Sequence, residues 1–145
     1  RNNRLKDIAM THISYQLYCS RNFPPLSETL KMLSAAGYKE VEGYGGLYDD
    51  IDALKAVFAD SDLKMTSSHI DFGMMENDPG KALGIIRDFG MRSVFVPYLQ
   101  SEDRPADAAG WTALGVSLAG IGKPFIAAGI NFGWHNHDFE LVATD

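Results

Sequence analysis

Two imidazoles, an amide and two carboxylates crowd one short stretch near the end of the chain: Gly133-Trp-His-Asn-His-Asp-Phe-Glu140. Imidazole nitrogens beside carboxylate oxygens suit proton transfer, and the same mixed donors suit a divalent cation of the Mn, Zn, Fe or Co type. The stretch follows an apolar run, and strands of α/β cores carry their chemistry at their C-terminal ends. Read with the period of a strand, Gly133, His135 and His137 share one face, while Phe132, Trp134 and Asn136 share the other. Further polar groups end earlier β-rich runs: Gln16 and Tyr18, then Glu42 and Tyr44, then His69, then Tyr98. A carboxylate in a buried strand is costly unless it is paired or coordinates a cation. Glu42 therefore either lines an active-site mouth or faces solvent at a sheet edge. His69 follows Ser67-Ser68 and could equally satisfy itself on neighbouring hydroxyls. Cys19 reads as a small buried hydrophobe, His12 as structural, and Phe132, Trp134 and Phe139 as core or pocket wall.

Placing those groups requires a regular alternation of strands and helices. Ile13–Cys19 reads as strand one. Pro24-Pro25 breaks it, and Ser27 caps a helix over Glu28–Ala36 that Gly37 ends. Tyr38–Tyr44 is strand two, followed by the Gly45-Gly46 loop and a helix capped by Asp50 with Ile51, Leu54, Val57 and Phe58 on one face. Leu63–His69 is strand three, Pro79–Phe89 helix three and Arg92–Tyr98 strand four. A polar loop over Gln100–Asp107 leads into a helix over Ala108–Ala128, which Pro124 is expected to kink or split near Gly122. Gly129 closes it, and Ile130–His135 is strand five. Such βαβ units demand a parallel sheet with right-handed crossovers. Two architectures remain open at this point: a flavodoxin-like sheet, complete at five strands, and a (β/α)8 barrel just over half built.

Composition narrows the function classes. The chain has 145 residues, is 46% hydrophobic and carries a net charge of −6, enough apolar material for one ordinary core. The acidic balance disfavours nucleic-acid and anionic-membrane partners; the only basic cluster is Arg1, Arg4 and Lys6. No apolar run is long enough to span a membrane, and no signal peptide is visible, which suggests a cytoplasmic setting. A single cysteine forbids an intrachain disulfide. No GxGxxG or GxxxxGK[ST] follows any strand; Gly43-Tyr-Gly-Gly46 lacks both the third glycine and the lysine.

The sequence resembles the sugar phosphate isomerase/epimerase family, the xylose-isomerase-like TIM barrels that also include type IV endonucleases. The resemblance rests on Tyr15-Gln-Leu-Tyr18, Ala36-Gly-Tyr-Lys-Glu-Val-Glu42, Ser67-Ser-His69 and the HNHDFE run His135–Glu140, with Trp111 and Ala128-Gly129 in fitting places. It implies that residues 1–145 form a single domain, the first five βα units of a (β/α)8 barrel. It also implies a divalent metal (Mn, Zn, Co or Mg) at the C-terminal mouth, held by Glu, Asp, His and Glu from strands five to eight. Only strand five lies within this chain. Where many relatives end that strand in Glu-Asn-X, this chain has His135.

The expected activity is proton abstraction next to a carbonyl of a sugar or polyol, through an enediolate. Glu42, His69 and His137 are the candidate catalytic groups; Gln16, Tyr18, Tyr98 and Asn136 would bind substrate; His135 and Glu140 would ligate the metal. With so few ligands the metal is expected to be weakly held or absent, and the chain by itself inactive. A non-catalytic flavodoxin-like module and an endonuclease IV-like phosphodiesterase are the alternatives. Unpaired edges on strands one and five would favour a homo-oligomer.

Overall fold

The computed structural model describes residues 13–142; His12, Arg1, Arg4 and Lys6 lie outside them. Five strands form one sheet: β1 (Ser14–Gln16), β2 (Glu40–Gly43), β3 (Lys64–His69), β4 (Ser93–Val96) and β5 (Asn131–Trp134). All neighbours pair in parallel, in the order β1-β2-β3-β4-β5. That order puts β1 at an edge. A flavodoxin-like sheet would put it inside, so the sheet is that of a partial α/β barrel.

Helices α1 (Leu26–Ala35), α2 (Ile51–Ala59), α3 (Phe72–Asn77), α4 (Pro79–Phe89) and α5 (Ala108–Ala127) connect the strands. Their starts follow simple capping chemistry. Asp50, Asp78 and Asp107 each accept a backbone N–H three residues on, from Ala53, Lys81 and Gly110 at 2.8–3.0 Å. Pro79 fills the first position of α4, and Gly90 ends it at φ 65°, where a side chain would be strained.

Several boundaries differ from expectation. β1 stops at Gln16, because the chain turns there into a 3₁₀ helix over Leu17–Asn22. That turn buries Leu17 and leaves Cys19 exposed, so the cysteine is not a core residue. α1 begins at Leu26 without a side-chain cap, so Ser27 lies inside it. α3, capped by Asp71 Oδ1 on the Met74 N–H at 3.0 Å, was not anticipated. Pro124 does not split α5, which runs through it to Ala127; its ring removes one backbone bond, to the carbonyl of Gly120, and the helix continues for only three residues beyond it.

The apolar core lies on one face of the sheet. Val41, Met65, Val94 and Val96 are buried with Leu30, Leu33, Leu54, Ile85, Ile86 and Phe125 of the helices. Phe132 of β5 stacks on Phe125, with ring centroids 5.9 Å apart. The opposite, inner face is polar. Glu40 receives Thr66 Oγ1 at 3.1 Å and Arg92 at 3.0 and 3.2 Å, and Asn131 donates to Ser93 at 3.2 Å. Among the described residues no helix is long and apolar enough to cross a membrane.

Candidate active site

A break in register builds the site. Val41 pairs with Met65, but the next residue, Glu42, pairs with Ser67, so Thr66 is an extra residue on β3. Strict alternation would turn Thr66 and Ser67 to opposite faces; a bulge re-aims one of them. Both hydroxyls consequently reach the inner face, Thr66 to Glu40 and Ser67 to Glu42 Oε2 at 2.7 Å. Past the bulge, Ser68 turns towards the helices, where it bonds the buried Tyr48 hydroxyl, and His69 turns inward.

His69 is the most buried titratable group of the inner face, 6% exposed. Its Nε2 lies 3.2 Å from Glu42 Oε1 and its Nδ1 3.4 Å from Gln16 Nε2. The ring of His135 sits 4.5 Å from that of His69, and the ring of His137 5.0 Å from that of His135. Strand ends far apart in sequence thus bring Gln16, Glu42, His69, His135 and His137 into one cluster. Gln16, Tyr18, His69, Tyr98, His135 and His137 line a cleft of about 840 Å³, together with Tyr44, Gly45, Gly46, Pro97 and Gln100. Glu42 is not on its wall and joins the cleft through His69.

The charges follow from these contacts. Burial alone would raise the Glu42 carboxyl, but hydrogen bonds from His69 and Ser67 and the nearby imidazoles outweigh it and hold it below the usual range. Desolvation lowers His135, and the neighbouring His69 and His137 rings lower it further against the pull of Glu42 and Glu140. His135 therefore offers a bare ring nitrogen at neutral pH.

The HNHDFE run divides its labour differently from expectation. Asn136 is exposed and outside the cleft lining, as alternation past β5 turns it away from His135 and His137. Glu140 closes a local loop instead of pointing at the imidazoles: Oε1 accepts the Trp134 indole N–H at 2.8 Å and Oε2 the His137 backbone N–H at 2.6 Å. Burial works to raise the Glu140 carboxyl, yet these backbone and indole donors hold it down. The loop stacks Phe139 on the His137 ring, 5.6 Å away and 11° from parallel, with Tyr98 edge-on to both. Arg104 lies over the Phe139 ring at 3.8 Å and donates to the Tyr98 hydroxyl. His137 Nδ1 is buried and has no hydrogen-bond partner among the described residues.

Two features had no sequence signal: the bulge that recruits Ser67, and the Arg104–Phe139–His137 stack. Tyr44, one of the polar groups that end strand two in the sequence, lines the cleft, and Gly45 and Gly46 follow it directly. A resident metal does not fit the described residues. Glu140 is hydrogen-bonded at both oxygens, His69 is engaged at both nitrogens, and no group of three His, Cys, Asp or Glu side chains could hold an ion.

No family model and no curated protein sequence matches the chain. Its fold does match a solved structure, the sugar phosphate isomerase/epimerase from Parabacteroides distasonis, with a TM-score of 0.70 and 16% identity, over 90% of this chain and 56% of that one. The chain spans little more than half the length of that structure. The solved protein bears the name of the family that the sequence resembles, and what it shares with this chain is the fold: five parallel strands alternating with helices, the first part of a barrel.

Proposed function

We propose that this chain forms part of the active centre of a sugar isomerase or epimerase, one that moves a proton at the carbon beside a substrate carbonyl. The observation that supports this reading is the convergence of Glu42, His69 and His135, from β2, β3 and the end of β5, beside one cleft. The C-terminal ends of barrel strands are where such chemistry gathers, and the cleft volume is within the range of small-molecule sites.

Each group has a role its surroundings allow. His135 takes the proton, because its ring nitrogen is bare at neutral pH and its side chain is exposed to the cleft. Glu42 stays ionised and steadies the positive charge that His135 gains. His137, the next ring along, is the second acid–base group. Tyr18 and Tyr98 offer hydroxyls to a polyol and aromatic faces to its C–H side. Whole-barrel turnover belongs to a protein with all eight βα units.

Adding ketoses, aldoses and their phosphates to the chain, while following the histidine side-chain resonances, tests binding. Shifts at His69, His135 and His137 that vanish in His135→Ala are expected. In a form carrying a complete barrel, solvent deuterium should appear at the carbon next to the carbonyl and fail to do so in His135→Ala. Absence of both effects across the sugars would defeat the reading.

A further inference from the structure

Gln16 serves two partners with one amide. Its Oε1 accepts the Tyr18 backbone N–H at 2.8 Å, capping the 3₁₀ turn after β1. Its Nε2 stands 3.4 Å from His69 Nδ1. A backbone N–H can only donate, so the amide end facing Tyr18 is the carbonyl oxygen. The end left for His69 is the NH₂ group, which also only donates. A donor aimed at Nδ1 requires a lone pair there, so the ring's N–H sits on Nε2. That nitrogen faces Glu42 Oε1 at 3.2 Å, and an ionised carboxylate only accepts. Ser67, donating to the other oxygen of Glu42 at 2.7 Å, keeps the carboxylate turned this way. Constraints from both sides of the ring agree on one tautomer.

We propose that Gln16 is a positioning residue that fixes the Nε2–H tautomer of His69, taking its own orientation from the Tyr18 backbone. His69 is then an anchor for Glu42, with both ring nitrogens engaged, and the bare nitrogen of the cleft belongs to another histidine. The residue type fits this double task. Caps are usually Ser, Thr, Asp or Asn. Asn in this place could hold the Tyr18 N–H but would be one carbon–carbon bond, about 1.5 Å, short of β3. The inference goes beyond the proposed reaction and survives if that reaction is wrong, because its readout needs no substrate.

The test is a long-range ¹H–¹⁵N correlation spectrum of the protein labelled at histidine nitrogens, at neutral pH, which separates N–H from bare ring nitrogens. In the wild type, His69 should show a protonated Nε2 and a bare Nδ1. Gln16→Glu presents an acceptor to Nδ1 while Glu42 still accepts from Nε2, and should protonate Nδ1 as well, leaving both ring nitrogens carrying N–H. Gln16→Met presents neither and should give mixed tautomers. Unchanged His137 resonances would report an intact fold, and the wild-type spectrum carries the test even if one variant does not fold. A protonated Nδ1 in the wild type, or variant spectra at His69 identical to it, would overturn the proposal.

Discussion

His69 Nε2 and Glu42 Oε1 lie 3.2 Å apart, on adjacent strands whose register slips by one residue just before they meet. With His69 nearly buried, neither group can exchange its partner for water at no cost. Replacing Glu42 by Ala is expected to remove about 1.5–3 kcal/mol of stability, the usual worth of hydrogen bonds to a charged group. Urea unfolding at neutral pH measures it. A loss no larger than that of an exposed Glu28→Ala control would show the pair to be ornamental.

Stability should fall on acidification in two stages. The folded state holds His135 below its ordinary 6.5 and Glu42 below its ordinary 4.5. In both cases the unfolded chain binds the proton first, so stability rises with pH through each window. The His135 contribution is complete above 6.5 and fades below it; that of Glu42 is complete above 4.5 and fades as pH drops through its lower folded value. His135→Gln should flatten the upper stage and Glu42→Gln the lower, in unfolding free energies measured across pH. A wild-type curve rising towards acid would contradict the signs.

Most of the scaffold was legible because alternation and capping are local. Asp50 and Gly129 announce helix ends from their own chemistry, whereas short crossovers left the strand order open between two architectures and the resemblance pointed to the barrel. What could not be read depends on meetings between strands. The Thr66 bulge is invisible in the sequence of β3, since it arises from how β3 pairs with β2. Glu140 looked like a ligand because carboxylates near histidines do; its partners, an indole and a backbone N–H, are set by a turn that the sequence did not betray. Alternation sets Asn136 opposite the histidines, and the structure leaves it exposed and outside the cleft lining. Cys19 was misjudged because β1 ends three residues early.

Glu140→Gln should loosen the end of strand five without unfolding the chain. An amide can still accept at one oxygen but opposes an N–H at the other position. Faster exchange of the His137 backbone N–H and of the Trp134 indole N–H is expected, with the protection of β3 amides unchanged. Equal protection of both sites in wild type and variant would mean that the carboxylate holds nothing.

Two glycines mark close approaches. A methyl group on Gly43 would come within 2.6 Å of Met65 Sδ and the Tyr48 hydroxyl, and one on Gly122 within 2.7 Å of the Phe132 ring. Gly43→Ala and Gly122→Ala should each cost about 1–3 kcal/mol, as overpacking generally does. Gly84→Ala, in a helix with open space around it, is the control and should be neutral or stabilising.

Added Mn²⁺ or Zn²⁺ should bind weakly. Among the described residues no three His, Cys, Asp or Glu side chains could hold an ion together, and a pair of imidazoles such as His135 and His137 makes half of a tetrahedral shell. Calorimetry should give no tight stoichiometric isotherm, and chelator should leave the unfolding midpoint unchanged. A stabilised, one-to-one complex would show that the donors regroup.

The polar inner face also bears on the order in which the chain can assemble. Glu40 finds Arg92 and Thr66, Glu42 finds Ser67 and His69, and Asn131 finds Ser93, all within one strand or two of their own positions. None of these groups waits for a strand from the far side of a closed ring. Each new βα unit can dock on its predecessor, shield its apolar side with its own helix and settle its inward polar groups on strands already in place. Each closure then spans one βα unit and not the whole ring, which keeps its entropic cost small.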